Sequence, residues 1–255
     1  MPISFLPPSS SSSSNSRFHF RPHPLGDECV RESLHVFFGQ RHANVGTLRQ
    51  AFPQYQFLRL KQTHSSLVHR VSHRDPDFAI AGDAAWTQER GLSLCSITAD
   101  CMPVFIYSPE PLAVASIHAG WRGVAHQIVV KTMASMATEG IDLRACQFFL
   151  GPHILRQSFE VENSVRDEIL HSLTKENLTK DNITTDLFTP LNSARSLVDL
   201  SAVVAAQIES SGGRRENIHR HLADTKTNLL YHSFRRDRDS AGRQISFAVL
   251  RAATE

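Results

Sequence analysis

The sequence predicts one domain of mixed α and β structure. Its 255 residues, 41% of them hydrophobic, are enough to bury one large core. Runs with the alternation of strands are interleaved with runs that have the period of helices, and their spacing is too uneven for a regular doubly wound sheet. No internal repeat is present. We therefore expect a single domain over residues 31–255.

Residues 1–30 are predicted to form a disordered tail. Six consecutive serines at residues 9–14 carry too little apolar area to offset the entropy of the chain. The tail lacks the basic region, the sustained apolar run and the cleavage site of a secretory signal. Ordered structure is expected to begin near the alternating residues Leu34, Val36 and Phe38.

Charge and cysteine content argue against several classes of protein. The formal net charge is +2, from 27 basic and 25 acidic residues that are interspersed, so no basic stripe is available for a nucleic-acid backbone. The four cysteines are too few for a disulfide scaffold, and no apolar run reaches the roughly 20 residues that span a bilayer. We expect a reduced, cytoplasmic protein with no nucleic-acid or membrane partner.

Strands and helices are assigned from the period of the apolar residues and from the glycines and prolines between them. Pro103 cannot donate to a strand ladder, so the apolar stretch 91–108 is expected to break at 100–103. The remaining strands are expected at 34–38, 57–62, 67–71, 112–118, 146–150 and 243–250, and the helices at 122–138, 161–173 and 199–212.

Three residues able to bind a metal are predicted at strand ends. His64 falls in a turn between two strands, Cys101 in the break of the long apolar stretch, and His118 at the end of the next strand. If these ends share one edge of the core, two imidazoles and a thiolate converge as in a zinc site with an open fourth position. A cysteine can also be a small buried hydrophobe, and most histidines lie at the surface or in a satisfied core site, so the spacing leaves a structural interpretation open.

The segment "HAGWRG" starts the expected helix after His118. Unsatisfied N–H groups at a helix N-terminus attract anions, and Arg122 can bind phosphate or carboxylate through two parallel hydrogen bonds. The segment therefore indicates an anion site beside the three ligands. The alternative is that Gly120 and Gly123 permit a tight turn while Trp121 packs.

Two carboxylates and an arginine pair complete the candidate residues. Asp83 and Asp100 lie beside strands, where Asp most often stabilises a turn, although Asp100 could instead orient a ligand or move a proton. Arg235 and Arg236 precede the closing strand and form either a second substrate clamp or a solvated basic pair.

Together these segments resemble the bacterial YfiH-type family, long called multicopper polyphenol oxidases or laccase-domain proteins and now described as purine nucleoside enzymes. The resemblance covers about residues 34–250 and is most specific where "TADCMPVFI" is followed by "IHAGWRG". It also includes "QTH", "GPHILRQSFEV" and "HSFRRDRDSAGRQ". It implies an α+β fold, a four-layer α/β/β/α sandwich with mixed sheets, in a protein that is usually monomeric.

The resemblance implies a zinc-dependent enzyme that cleaves adenosine, inosine and S-methyl-5′-thioadenosine with phosphate and also deaminates adenosine. The chain departs from the family at Gln157 and Ser158, where two cysteines are usual, at Asp224, where a cysteine precedes the threonine, and in a shortened loop after the first strand. The implied zinc ligands, also catalytic, are His64, Cys101 and His118. We further expect Asp100 and Arg122 to be catalytic. The residues expected to bind substrate are Gln62, Asp83, Arg235 and Arg236.

Other functions remain open from the sequence. The ligand types of a blue-copper centre are present if Met102 joins the three ligands, but an oxidase that reduces O₂ needs several coppers, and the chain has one His-x-His pair, at His219 and His221. Cys101 could instead be the nucleophile of a hydrolase that cleaves amide bonds in cell-wall precursors. A binding module without catalysis is the last alternative.

Overall fold

The computed structural model of the chain describes residues 18–173 and 187–252. The strands are β1 (Arg21–His23), β2 (Gly26–Val30), β3 (Leu34–Gly39), β4 (Gln56–Leu58), β5 (Val68–Arg70), β6 (Ala84–Thr87), β7 (Leu92–Thr98), β8 (Met102–Pro109), β9 (Leu112–Ala119), β10 (Gln147–Leu150), β11 (Glu160–Glu162), β12 (Phe188–Pro190), β13 (Arg195–Val198), β14 (Ile218–Arg220) and β15 (Gln244–Leu250). The α-helices are α1 (Val45–Ala51), α2 (Trp121–Ala125), α3 (Ile128–Ala137), α4 (Asn163–His171), α5 (Leu200–Ser210) and α6 (Phe234–Asp237).

Two six-stranded sheets and one small sheet form the framework. The first sheet has the strand order β1-β2-β3-β15-β7-β4, the second β14-β10-β8-β9-β6-β5, and the small sheet β11-β13-β12. Both large sheets are mixed, because β4 pairs in parallel with β7, and β5 with β6, among antiparallel neighbours. The predicted mixed α+β fold is therefore confirmed.

The two large sheets pack face to face, and helices cover their outer faces. In β3, Val36 and Phe38 lie in the apolar cluster between the sheets, together with Phe105 of β8. Phe37 points the other way and packs with Leu48 of α1. The outer face of the second sheet is covered by α2, α3, α4 and α5. This is the α/β/β/α layer order that the resemblance implies.

The predicted boundary of the tail at residue 30 is wrong, because residues 18–30 belong to the fold. Strand β2 pairs antiparallel with β3, and its Cys29 is only 1% exposed in the cluster between the sheets. Phe18 and Phe20 pack against the same cluster. Prolines and histidines interrupt the apolar alternation of this segment, which hides the two strands from a period-based assignment. Residues 1–17 lie outside the described residues, so their disorder remains a prediction.

The single helix expected over 122–138 is divided into α2 and α3. Gln127 stands between them with a φ of 59°, in the left-handed region, and its side-chain Nε2 donates to the Ser172 carbonyl at 2.8 Å. The apolar period continues across the break because Val124 and Ile128 both remain buried. As α2 has only five residues, an anion near Trp121 gains little from a helix dipole, and the side chains around it matter more.

Truncations test where the fold begins. Removing residues 1–16 is expected to leave the melting temperature within about 1 °C of the full chain, because a serine-rich run buries little apolar area. Removing residues 1–30 also deletes β1, β2 and the buried Cys29, so it should lower the melting temperature by well over 10 °C or prevent folding. Thermal unfolding of both truncated chains measures the two melting temperatures. Equal stability of the two would contradict the placement of β2.

Among the described residues, no helix has the length and apolar character needed to cross a membrane.

Candidate metal centre and substrate pocket

Three separate connections bring His64, Cys101 and His118 together. His64 lies between β4 and β5, in a turn where its φ is 57°. Cys101 lies where the chain passes from β7 in the first sheet to β8 in the second, and His118 is the penultimate residue of β9. One ligand atom from each of the three residues lies within 4.8 Å of the others. The strand ends do meet at one edge, as the sequence analysis requires for a metal site.

Asp83, directly before β6, holds two of these residues in place. Its carboxylate accepts the backbone N–H groups of Thr63 at 3.1 Å, His64 at 3.0 Å and Ser65 at 2.7 Å. The Ser65 hydroxyl donates to it at 2.6 Å, and Nδ1–H of His118 donates at 2.8 Å. With its side chain fully buried, Asp83 therefore fixes the turn of His64 and leaves Nε2 of His118 free to face Cys101.

The ionised forms of Cys101, His118 and Asp83 stabilise one another. Burial alone would raise the pKa of the Cys101 thiol, but the His118 imidazolium and hydrogen bonds from both histidines lower it. Burial alone would lower the pKa of His118, but the Cys101 thiolate and the Asp83 carboxylate raise it. Burial likewise opposes ionisation of Asp83, yet hydrogen bonds from His118 and Ser65 hold its pKa well below the usual range. Cys101 thus has the thiolate character that a metal ligand or a nucleophile needs.

Gly120 leaves the room in which the three side chains meet. A Cβ atom at this position would lie 3.0 Å from Sγ of Cys101 and 3.2 Å from Cδ2 of His64. Two imidazole nitrogens and a thiolate, with a carboxylate behind one imidazole, form a donor set that suits zinc and keeps a fourth position open. His64, Cys101 and His118 therefore fit the ion that the resemblance implies.

Asp100 connects this cluster to the C-terminal part of the chain. It is buried at a φ of 85°, and its carboxylate accepts the Thr225 hydroxyl at 2.7 Å and the backbone N–H of Arg235 at 2.6 Å. The Arg235 side chain donates from Nη1 to the Glu160 carbonyl at 2.9 Å. Both Asp100 and Arg235 line the pocket in front of the cluster.

Two of the residues predicted to bind substrate lie outside the pocket lining. Asp83 is buried behind the cluster, and the guanidinium of Arg236 pairs with Asp237 and donates to the carbonyls of Thr225 and Tyr231. In the structure both side chains hold neighbouring segments in place, and their assignment to substrate binding stays a prediction. Gln62 does line the pocket, but its amide exchanges two hydrogen bonds, both 2.8 Å long, with the backbone of Ile97 in β7.

The pocket carries a concentration of positive charge. Its volume is about 690 Å³, within the usual range for small-molecule sites. Five cationic side chains line it, and none of them is paired with a carboxylate in the parts of the chain that the structure describes. These residues are Lys61, Arg122, Arg235, Arg238 and Arg243. An unpaired cationic group of this kind favours an anionic ligand.

Aromatic rings supply much of the remaining lining, and each has a guanidinium over it. The pairs are Phe78 with Arg59 at 5.2 Å, Trp121 with Arg122 at 4.6 Å, Phe159 with Arg235 at 5.7 Å, and Phe234 with Arg243 at 5.9 Å. Most of this lining could not be predicted from the sequence, because single residues from loops and short helices have no common period. Lys61 directly precedes Gln62, which was predicted to bind substrate. The segment "DRDSAGR", which follows Arg235 and Arg236, was the available signal for Arg238 and Arg243.

Backbone strain is concentrated at the same pocket. Five described residues other than glycine have a positive φ, and four of them line the pocket: His64, Phe78, Asp100 and Arg238. The left-handed region costs an L-residue roughly 1–2 kcal/mol, and such strain collects at functional sites.

The residues at which the chain departs from the family pattern are in contact with one another. The Asp224 carboxylate accepts the Ser158 hydroxyl at 2.6 Å and the Gln157 amide at 3.1 Å. Asp224 is buried, so these donors satisfy a charge that would otherwise be costly. A set of hydrogen-bonded polar residues thus occupies the place where the resemblance implies cysteines.

Fold and site together define a class of protein: an α/β/β/α sandwich whose strand-end His–Cys–His cluster opens into a cation-lined pocket. The family model described as multi-copper polyphenol oxidoreductase laccase matches residues 39–251, and the chain belongs to that family.

Relatives with known names agree with this placement. A purine nucleoside phosphorylase of Staphylococcus saprophyticus is 28% identical over 205 residues, which cover 77% of this chain and 74% of that protein. A purine nucleoside phosphorylase of Bacteroides thetaiotaomicron is 46% identical over 87 residues, which cover 32% of this chain but only 31% of the relative. The crystal structure of the hypothetical protein YfiH of Bacillus licheniformis has the same fold, with a TM-score of 0.80 at 21% identity over 91% of this chain and 99% of that one. The YfiH-type resemblance is therefore confirmed.

Proposed function

We propose that the chain is a zinc-dependent purine nucleoside phosphorylase acting on adenosine, inosine and S-methyl-5′-thioadenosine, with adenosine deamination as a second activity. The observation that carries the proposal is that one pocket combines the His–Cys–His cluster with four aromatic rings and five cationic side chains, none of which pairs with a carboxylate among the described residues. The relatives are named purine nucleoside phosphorylases, which supports the phosphorolysis part of the proposal.

Phosphorolysis requires a pocket that binds a phosphate beside the ribose of a nucleoside. A phosphate oxygen forms a bond to C1′ of the ribose while the bond from C1′ to N9 breaks, and the purine leaves with the electron pair and takes up a proton. The products are the free base and ribose 1-phosphate, or its methylthio analogue. Arg122 and the other lining cations bind and orient the phosphate, and the aromatic rings bind the flat base and exclude water.

His64, Cys101 and His118 would hold the zinc ion, which supplies Lewis acidity when bound. Asp83 keeps His118 in the tautomer that presents Nε2 to the cluster. In deamination, water adds to C6 of adenosine and ammonia leaves, so a proton must move from the water to the amino group. Asp100, which lines the pocket, is the carboxylate proposed to carry it.

Two rival activities use the same cluster. In a copper oxidase several ions would be needed, yet within the described ranges only one cluster of three His, Cys, Asp or Glu ligands is close enough for an ion. In an amide hydrolase Cys101 would attack as a thiolate, which its lowered pKa permits. The cationic pocket favours phosphate over a phenol or a neutral amide.

We further propose a cytoplasmic, monomeric enzyme with no nucleic-acid or membrane partner.

Metal analysis combined with product analysis tests the function. Protein purified without added metal should contain about one zinc per chain. Adenosine should yield adenine and ribose 1-phosphate only when phosphate is present, and inosine with or without phosphate. Copper at several equivalents, or activity that survives chelation of all metal, would overturn the proposal.

Arg122 offers a test of the phosphate site. Arg122→Ala should raise the Michaelis constant for phosphate roughly ten- to a hundredfold, because a charged bidentate contact is worth about 1.5–3 kcal/mol. Deamination uses water and should fall much less. Steady-state rates of ribose 1-phosphate and inosine formation across a phosphate series measure the split.

The control for this variant is Arg220→Ala, since Arg220 is also exposed but lies in β14 outside the pocket lining. Zinc content and melting temperature should be unchanged in both variants. Equal losses of the two activities in Arg122→Ala would remove Arg122 from the phosphate site.

A further inference from the structure

Phe78 is unusual among the residues that line the pocket. It is a bulky aromatic residue at a φ of 59°, and its side chain remains 46% exposed. A left-handed conformation is a genuine outlier for such a residue, because Cβ approaches the following carbonyl. Glycine would adopt this φ without strain, so the aromatic side chain is kept here in spite of a conformational cost.

The segment beneath Phe78 is held rigidly. The Asp77 carboxylate accepts the backbone N–H of Arg59 at 2.9 Å and its guanidinium at 2.9 Å, and Arg49 donates to it at 3.1 Å. The backbone N–H of Phe78 donates to the Arg59 carbonyl at 2.8 Å. Burial opposes ionisation of Asp77, yet these bonds from Arg59 lower its pKa. Phe78 is therefore presented on a support that is ordered before any ligand binds.

The ring of Phe78 differs from the other three aromatic rings of the pocket. Over Trp121, Phe159 and Phe234 the guanidinium belongs to a residue that itself lines the pocket. Arg59, over Phe78, is not part of the lining and is paired with Asp77. The guanidinium of Arg59 thus backs one face of the ring, and the pocket meets a part of Phe78 that Arg59 does not cover.

We propose that Phe78 is the stacking platform for the purine base, held by the Arg59–Asp77 pair so that its open surface faces the ligand. This rests on the proposed function, because it assumes a purine nucleoside in the pocket. Every nucleobase has a π-face that stacks on an aromatic ring, and an arginine behind the ring reinforces its position. The platform and His64 line the same pocket.

Three substitutions of Phe78 distinguish the effect of ring stacking on adenosine binding from the effects of side-chain volume and of backbone strain. Phe78→Tyr keeps the ring, Phe78→Leu keeps apolar volume without a ring, and Phe78→Gly removes both but relieves the strain. The Michaelis constant for adenosine should change by less than about twofold in Phe78→Tyr. It should rise by about fivefold to a hundredfold in the other two, which is the range for loss of one stacked base.

A structural role for Phe78 would move different quantities. In Phe78→Gly the melting temperature should stay within about 2 °C of wild type, because relief of strain offsets the greater freedom of the unfolded chain. The kcat at saturation, the Michaelis constant for phosphate and the zinc content should also be unchanged, since stacking binds ground and transition states alike. Leu222→Ala, at a residue 69% exposed and outside the lining, is the matched control and should alter none of these.

Calorimetric titration of adenosine into the same proteins keeps this inference distinct from the proposed function. If wild type binds adenosine but does not cleave it with phosphate, phosphorolysis fails, while weaker binding to Phe78→Leu and Phe78→Gly still supports the platform. If wild type cleaves adenosine and all variants bind it equally, the platform is overturned and the function stands. If wild type neither binds nor cleaves adenosine, both are overturned.

Discussion

Cys101→Ala is expected to lose nearly all bound zinc and nearly all phosphorolysis while the chain remains folded. Two ligands in place of three should weaken zinc binding by orders of magnitude. Cys101 is only partly buried and lies in the connection between β7 and β8, so its truncation leaves no large core cavity. His64→Ala should behave in the same way, because its ring is exposed at the cluster.

His118→Ala is expected to differ, because this ring is buried and pairs with Asp83. Its removal should cost stability as well as zinc, since the buried Asp83 carboxylate loses its imidazole partner. Metal content, melting temperature and phosphate-dependent cleavage of adenosine distinguish the variants. His42→Ala, at an exposed histidine that is not part of the cluster, should match wild type in all three. Stoichiometric zinc in the Cys101→Ala protein would refute the ligand assignment.

The second large effect is expected at Asp83. Asp83→Asn should lower the free energy of unfolding by about 3–5 kcal/mol, the usual cost of breaking a buried charged pair. The amide has one acceptor oxygen, so it cannot satisfy the N–H groups of Thr63, His64 and Ser65 together with His118. Zinc content should fall with stability, because the turn of His64 loses its support. Asp239→Asn, at an exposed carboxylate, is the isosteric control.

The pH dependence of this variant identifies the cause. The pKa of Asp83 is depressed in the folded chain, so its contribution to stability is complete above the unfolded value of about 4 and is lost as the pH falls through the folded value. The difference in unfolding free energy between wild type and Asp83→Asn should therefore shrink as the pH is lowered below about 4. Chemical denaturation at neutral and acidic pH measures it. A difference that stays constant with pH would show that the carboxylate charge is not responsible.

Periodicity predicted the framework because buried faces impose it. The strands around Phe38, Ile106 and Phe247 and the capped helix at Asp199 follow from apolar spacing and a capping residue. Gln127 shows what periodicity cannot predict, because one left-handed residue divides a helix while the buried apolar residues on either side keep their spacing. The strands at residues 21–30 were missed because prolines and histidines interrupt their apolar alternation, although β1 pairs with β2 and β2 with β3.

The site was only partly predictable. His64, Cys101 and His118 could be proposed because strand ends can share an edge, and the resemblance then selected two of fourteen histidines and one of four cysteines. Asp83 and Arg236 were assigned to substrate because a sequence does not show which hydrogen bonds a charged side chain makes. Phe78 had no signal at all, since a single exposed ring in a loop is ordinary until its φ and its neighbours are known.

The position of β15 in the first sheet has a consequence for how the chain acquires its structure during synthesis. This strand lies between β3 and β7 in the middle of the sheet, and the Gly39 N–H donates to the Ser246 hydroxyl across a sequence separation of 207 residues. The N-terminal strands therefore leave the ribosome long before their central neighbour exists. With such non-local pairing, the sheet closes late and slowly, and until then the edges of β3 and β7 are open to association with other chains. Nascent chains halted before β15 should be far more sensitive to proteases than released ones.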